Sequence, residues 1–261
     1  MTVFKHEMRL SWKSLLIWSL SIAALMVVCV LLFPEMRGEM EGVSEIFSSM
    51  GSFTAAFGMD KLNFGTFIGF YGIECGNILG LGGAFFAALT GIAMLSKEEA
   101  GHTAEFLLTH PVSRRRIAAG KLTALLTQVL LLDLLAFAGG ILSGLCIGEA
   151  LPWKELLLLH TAYLLLHLET AALCFGLSAV LRRSAIGLGM GLSLLFYCLN
   201  LLANITEKAG WLKYFTPFSY AESADILSEL TLDLSLILLG LLASAAAVLA
   251  GFLIYDRKDI L

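Results

Sequence analysis

Six apolar runs, at 14–33, 73–95, 117–145, 156–181, 186–205 and 234–255, constrain this chain more than any other feature. Each has the roughly 20 residues that carry a helix across the hydrocarbon of a bilayer. A backbone in hydrocarbon has no water to bond, so each segment must pair its own N–H and C=O groups, as a helix does. Composition agrees: 58% of the residues are hydrophobic and 15% charged, where a soluble domain carries about 25% charge. The expected fold is an all-α integral membrane protein, one transmembrane domain over 1–261. The first run is too long for a signal-peptide core and has no A-x-A cleavage site, so it is expected to stay in place. Six spans put both termini on one side.

Lysine and arginine set the orientation. With the N-terminus inside, the inner segments hold Lys5, Arg9, Lys13, Lys97, Arg114, Arg115, Arg116, Lys121, Arg182, Arg183, Arg257 and Lys258. The outer segments hold only Arg37, Lys61, Lys154, Lys208 and Lys213. Both termini are therefore expected in the cytoplasm. Ahead of the first span, Val3, Phe4, Met8, Leu10 and Trp12 alternate with Lys5, Arg9 and Lys13, a pattern that suits an interfacial amphipathic helix over 1–13. Trp211, Tyr214, Phe215, Phe218 and Tyr220 surround Pro217 in the last outer segment and suit an interfacial aromatic belt.

Gly65, Gly69, Gly72, Gly76, Gly80, Gly83, Ala87 and Gly91 recur in steps of three and four and so share one helix face. Gly69, Gly72, Gly76 and Gly80 are its centre. A face without bulk lets another backbone approach closely, either as fixed packing or as a surface where helices slide. The stripe also suggests that the second helix begins near Phe64. Asp133, His160, His167, Glu169 and Glu74 lie inside apolar runs, where a polar group needs a partner. Asp133 and His167 fall at similar depth on oppositely directed spans, so they can pair. Asp133, His167 and Glu169 form a candidate intramembrane site, either a structural bond or a proton or cation site.

Several chemistries lack their motifs. Gly120-Lys121 is followed by Leu122, and no G-x-x-x-x-G-K-[ST] phosphate loop exists. There is no H-E-x-x-H and no G-x-S-x-G. Cys29, Cys75, Cys146, Cys174 and Cys198 form no C-x-x-C and suit reduced, buried thiols. Neither a catalytic, cofactor-binding or metal-binding residue nor a nucleic-acid partner is expected; the basic cluster at Arg114 abuts a span and suits topology and anionic lipid.

One charged stretch, "KEEAGHTAEFLLTHPVSRRRIAAGKL", separates the second and third spans. Gly101 can end a helix, Thr103 can cap a short one, Glu105 favours its first turn, Pro111 breaks it, and Ser113 can cap the next. A short helix carrying Phe106, Leu107 and Leu108 outside the bilayer either folds back onto the membrane or docks into a groove of another protein.

This stretch resembles the loop after the second helix in permease subunits of type-2 ABC exporters. The matching positions are Glu98, Gly101, Thr103, Glu105, Leu107, Leu108, Pro111, Ser113, Arg114, Ile117 and Lys121, with His102 standing between the usual Gly-Thr pair. "FTPFSYAESADIL" and the ending "YDRKDIL" are also similar to that family. The resemblance implies a permease that binds no nucleotide itself and is not an enzyme alone. It would pair with a second copy or a paralogue. The short helix at 103–110, within the 97–116 loop, would be a coupling helix received by a separate ABC ATPase that binds ATP and Mg. Glu98, Gly101, Thr103, Glu105, Phe106, Leu107, Leu108, Pro111 and Arg114 are the coupling residues on that reading. The family's substrates vary, and the expected location is the cell membrane of a bacterium. Two other functions remain open on the residues alone: an ion-coupled secondary transporter using Asp133, His167 and Glu169, and a membrane sensor or immunity protein that acts by binding.

Overall fold

The computed structural model describes residues 2–49, 51, 54, 56–59, 61–101, 103, 112–183 and 185–258, without the side chains of 2, 39–49 and 207. Six helices long and apolar enough to cross a membrane account for most of them. They are α1 (Thr2–Ser49), α2 (Phe67–Ala93), α3 (Arg114–Cys146), α4 (Trp153–Ser178), α5 (Ile186–Ile205) and α6 (Leu234–Arg257). No strand occurs among the described residues. The protein is an all-helical, multi-pass membrane protein.

The first helix differs from its expected form. From Thr2 on, no break separates the amphipathic segment from the span 14–33, and Pro34 lies inside the helix instead of ending it. Extending an existing helix adds a bond for each residue fixed, whereas a new helix must nucleate again. A single proline removes one ladder bond, and the neighbouring turns hold because Val30 and Phe33 are fully buried. Phe33 packs on Phe67 and Phe70, with ring centroids 6.0 and 5.2 Å apart. Nor do the opening turns lie alone on an interface. Glu7, Leu15, Ser19, Ile22, Met26, Val30 and Phe33 form one buried face, and Val3 and Phe4 approach Gly120 of α3.

The second span begins at Phe67, capped by Thr66, whose hydroxyl accepts from the Gly69 amide at 3.2 Å. A wide π turn at Tyr71–Cys75 interrupts it before Gly76–Ala93. The helix ends at Ala93, and Gly101 caps only a separate turn, Lys97–Ala100, at φ −91°. Ser113 caps α3 as its position suggests, accepting from the Arg116 amide.

In lipid, helix association gains little from the hydrophobic effect, so close packing and polar pairs must supply it. The small-residue stripe faces α4. A side chain added at Gly76 or Gly80 would meet Tyr163, one at Gly83 would meet the His167 ring, and one at Gly91 would meet the Ala171 carbonyl oxygen at 2.7 Å. Gly72 faces Leu227 and Ser223 from the helix Ser223–Glu229. Gly69 is different: it backs onto Asn63 of its own approach turn, and Gly65 precedes the helix. Leu20, Leu242 and Leu249 are among many exposed leucines, as expected of a surface solvated by acyl chains.

The segment after α5 turns back along it as two 3-10 stretches, Glu207–Phe215 and Pro217–Ala221. The Thr216 hydroxyl donates to the Phe196 carbonyl at 2.8 Å, midway along α5. The aromatic residues here do not form a single belt. Trp211, Tyr214 and Phe215 are about 60% exposed (59%, 63% and 62%), whereas Phe218 and Tyr220 are core residues. The first 3-10 stretch leaves its rings outside and the second turns its rings into the core, which composition does not reveal.

Candidate functional site

Two polar systems are built into this apolar body. The first lies at the end of the bundle that carries both termini, where the charged stretch leaves α2 and enters α3. Lys121, on the second turn of α3, is wholly buried. Its ammonium donates to the Met94 carbonyl at 2.7 Å, to Glu7 Oε1 at 3.0 Å and to Glu98 Oε1. Lys97 pairs with the other oxygen of Glu7. Lys258 pairs with Glu99 Oε1 at 2.7 Å and donates to the Leu181 carbonyl at 2.6 Å. Arg114 donates to the Tyr255, Asp256 and Lys258 carbonyls at 3.4, 3.4 and 2.5 Å. The last carbonyls of a helix have no partner within it, so Arg114 completes the end of α6. Arg115 adds an exposed pair with Asp256 at 2.9 Å.

Both roots of the charged loop are thereby fixed to α1, α3, α6 and the end of α4. A buried ion costs several kcal/mol to desolvate, and only close partners on every side offset that. The cluster is suited to hold the loop rigidly against the helices.

The second system runs along α4 inside the membrane-spanning part. The Tyr71 hydroxyl and His160 Nε2 are 2.8 Å apart, and Tyr163 and Ser223 hydroxyls 2.5 Å. His167 Nδ1 lies 2.9 and 3.0 Å from the two Asp133 oxygens, and its Nε2 lies 3.2 Å from the Gly80 carbonyl. With Nε2 donating to that carbonyl, Nδ1 also donates to Asp133 only when the ring is charged. Glu169 stands apart, because two residues along a helix point to nearly opposite faces. Its Oε2 accepts from the Tyr220 hydroxyl at 2.8 Å. Burial, together with the Glu169 carboxylate, pushes the Tyr220 hydroxyl well above its ordinary pKa, so it stays a donor. Among the described residues no group of three or more His, Cys, Asp or Glu is arranged to hold a metal ion.

The model of the ABC-2 family transporter protein matches residues 1–260. The chain belongs to this ABC-2 family. It is also similar to an uncharacterized protein, YhcI, of Bacillus subtilis (strain 168), at 27% identity over 209 residues. That match covers 68% of this chain and 66% of the relative, just under two thirds of its length. Permeases of this family as a group work with an ATPase subunit.

In this permease the loop residues read from sequence fall in two groups. Glu98 lies in the buried cluster, Gly101 caps the turn beside it, the Thr103 amide donates to the Glu98 carbonyl at 2.9 Å, and Arg114 completes α6. Glu105, Phe106, Leu107, Leu108 and Pro111 lie outside the described residues. Of the intramembrane trio, Asp133 and His167 meet and Glu169 does not join them.

Sequence reasoning missed Glu7, Glu99 and Lys258 as partners, and missed that Lys121 is buried. One signal was present: Glu7 falls on the same helical face as Leu15, Ser19 and Ile22, an acid on an apolar stripe. Nothing in the sequence matched it with Lys121, 114 positions away.

Proposed function

We propose that this ABC-2 permease exports its substrate, driven by a separate ATPase that docks on the 103–110 segment. The observation that carries the reading is the buried cluster of Glu7, Glu98 and Lys121, with Glu99 and Lys258 beside it. A lever transmits work only if its base does not yield, and this base ties the loop to several spans at once. The sequence carries no G-x-x-x-x-G-K-[ST] phosphate loop, so on this reading ATP and Mg would be bound by the partner. On this reading both termini face the cytoplasm of a bacterial cell membrane, and a second permease copy or paralogue completes the pathway.

The test is purification of the permease from its native membrane in mild detergent, with mass spectrometry of what accompanies it. A co-purifying protein with a Walker A motif, released by Phe106→Asp while the permease stays inserted, is the expected result. Retention of that ATPase by Phe106→Asp would refute the docking site. Isolation without an ATPase, with substrate movement dependent on Asp133 and His167, would favour ion-coupled transport instead.

A further inference from the structure

The returning segment leaves a groove of about 210 Å3 against α4, α5 and α6. Its floor is the Glu169 carboxylate, 8% exposed, and its walls include Phe196, Pro217 and Leu239. Tyr214 and Phe215, both largely exposed, form the rim with Lys213. Gly240 stands opposite the carboxylate, where any side chain would collide with it. Glu169 therefore keeps its space only because α6 presents no side chain there.

The carboxylate has one hydrogen bond, from Tyr220, and among the described residues no cation lies within ion-pairing distance of it. Lys213 reaches toward Asp225, at 3.8 Å, instead. A carboxyl group in an apolar setting takes up either a proton or a cation. Aromatic faces beside it attract a desolvated cation through their quadrupoles, and quaternary ammonium groups are recognised by this combination.

We propose that the groove binds a monovalent organic cation, its ammonium group against Glu169 and its apolar part against Phe196, Tyr214 and Phe215. As cargo for export the ligand rests on the permease reading given above. Binding to the permease alone does not, so the two fail separately. The chemistry argues for a single charge, because Lys213 at the rim repels a second one.

The experiment is equilibrium dialysis of phenyltrimethylammonium against the purified permease in lipid nanodiscs, with empty nanodiscs subtracted. Saturable binding is expected, and the neutral isostere tert-butylbenzene should not displace it. Glu169→Gln keeps the shape and the bond from Tyr220, and should weaken binding about tenfold or more. Tyr220→Phe keeps the charge and a ring, and should change affinity by less than about fivefold. Absence of saturable binding, equal competition by the neutral isostere, or unchanged affinity in a folded Glu169→Gln protein would each overturn the proposal. The comparison of cation with isostere needs no variant, so it decides the matter even if Glu169→Gln fails to fold.

Discussion

Replacing Lys121 by methionine tests whether the buried cluster holds the base of the loop. Methionine keeps most of the aliphatic stem and removes only the ammonium. The Met94 carbonyl then loses its 2.7 Å donor, and a buried polar group left without a partner costs about 1–3 kcal/mol. Two carboxylates also lose a counter-charge. Glu7 retains Lys97, while Glu98, 15% exposed, has no other cation among the pairs described. Breaking one side of a buried pair costs about 3–5 kcal/mol, and the surviving Lys97 contact places the expectation at the lower end. Reversible denaturant unfolding in mixed micelles, followed by tryptophan fluorescence, should show Lys121→Met less stable by about 3 kcal/mol. Glu7→Gln made in the same background should cost much less than in the wild type, with a coupling of about 1–3 kcal/mol. A loss below about 1 kcal/mol, the worth of an exposed pair, together with additive behaviour of the two changes, would refute the reasoning.

Three further outcomes follow from the packing and the charges. Gly91→Ala drives a methyl into the Ala171 carbonyl oxygen and Cys174, neither able to swing away, and should lower stability by about 1–3 kcal/mol in the same unfolding assay. Gly187→Ala meets nothing within 4 Å and should be neutral or stabilising, by up to about 1 kcal/mol. Burial pushes the Glu222 carboxyl above its ordinary pKa, opposed by the amides of Asn200 and Asn204, which donate to it at 2.8 and 3.0 Å. Because the folded state holds this proton more tightly, its contribution is full at low pH. That contribution is lost as pH rises from the ordinary carboxylate range through the folded-state value. Stability measured across that window should fall less steeply in Glu222→Gln; an unchanged slope would exclude this carboxyl as the source.

The spans were legible because membrane insertion depends on summed apolarity, a property of contiguous residues. The fifth expected run, 186–205, coincides with α5, and the second, third, fourth and sixth shift by a few residues at their ends, whereas α1 extends well past both ends of 14–33. The sequence misled where local signals competed with packing. Pro34 suggested a stop, yet the buried faces of Val30 and Phe33 carry the helix through it. The aromatic residues around Pro217 suggested a belt, yet Phe218 and Tyr220 turn inward. Of the candidate trio, Asp133 and His167 were paired by depth and direction of their spans, but depth carries no information on rotation, and rotation separates Glu169 from them.

The amino-acid sequence by itself determined a six-span helical membrane protein, a small-residue face on α2 and a capped, charged stretch between α2 and α3. Each rests on residues within a turn or two of one another, where spacing and chemistry are enough. Only the tertiary structure decided that Glu7 meets Lys121, that Lys258 meets Glu99, and that Glu169 opens into a groove opposite Gly240. Those neighbours lie far apart in the chain, Glu7 and Lys121 by 114 positions. In a bilayer any span can slide or rotate at little hydrophobic cost. Register is therefore fixed by the fit of small faces and buried polar partners, which exist only once the helices have met.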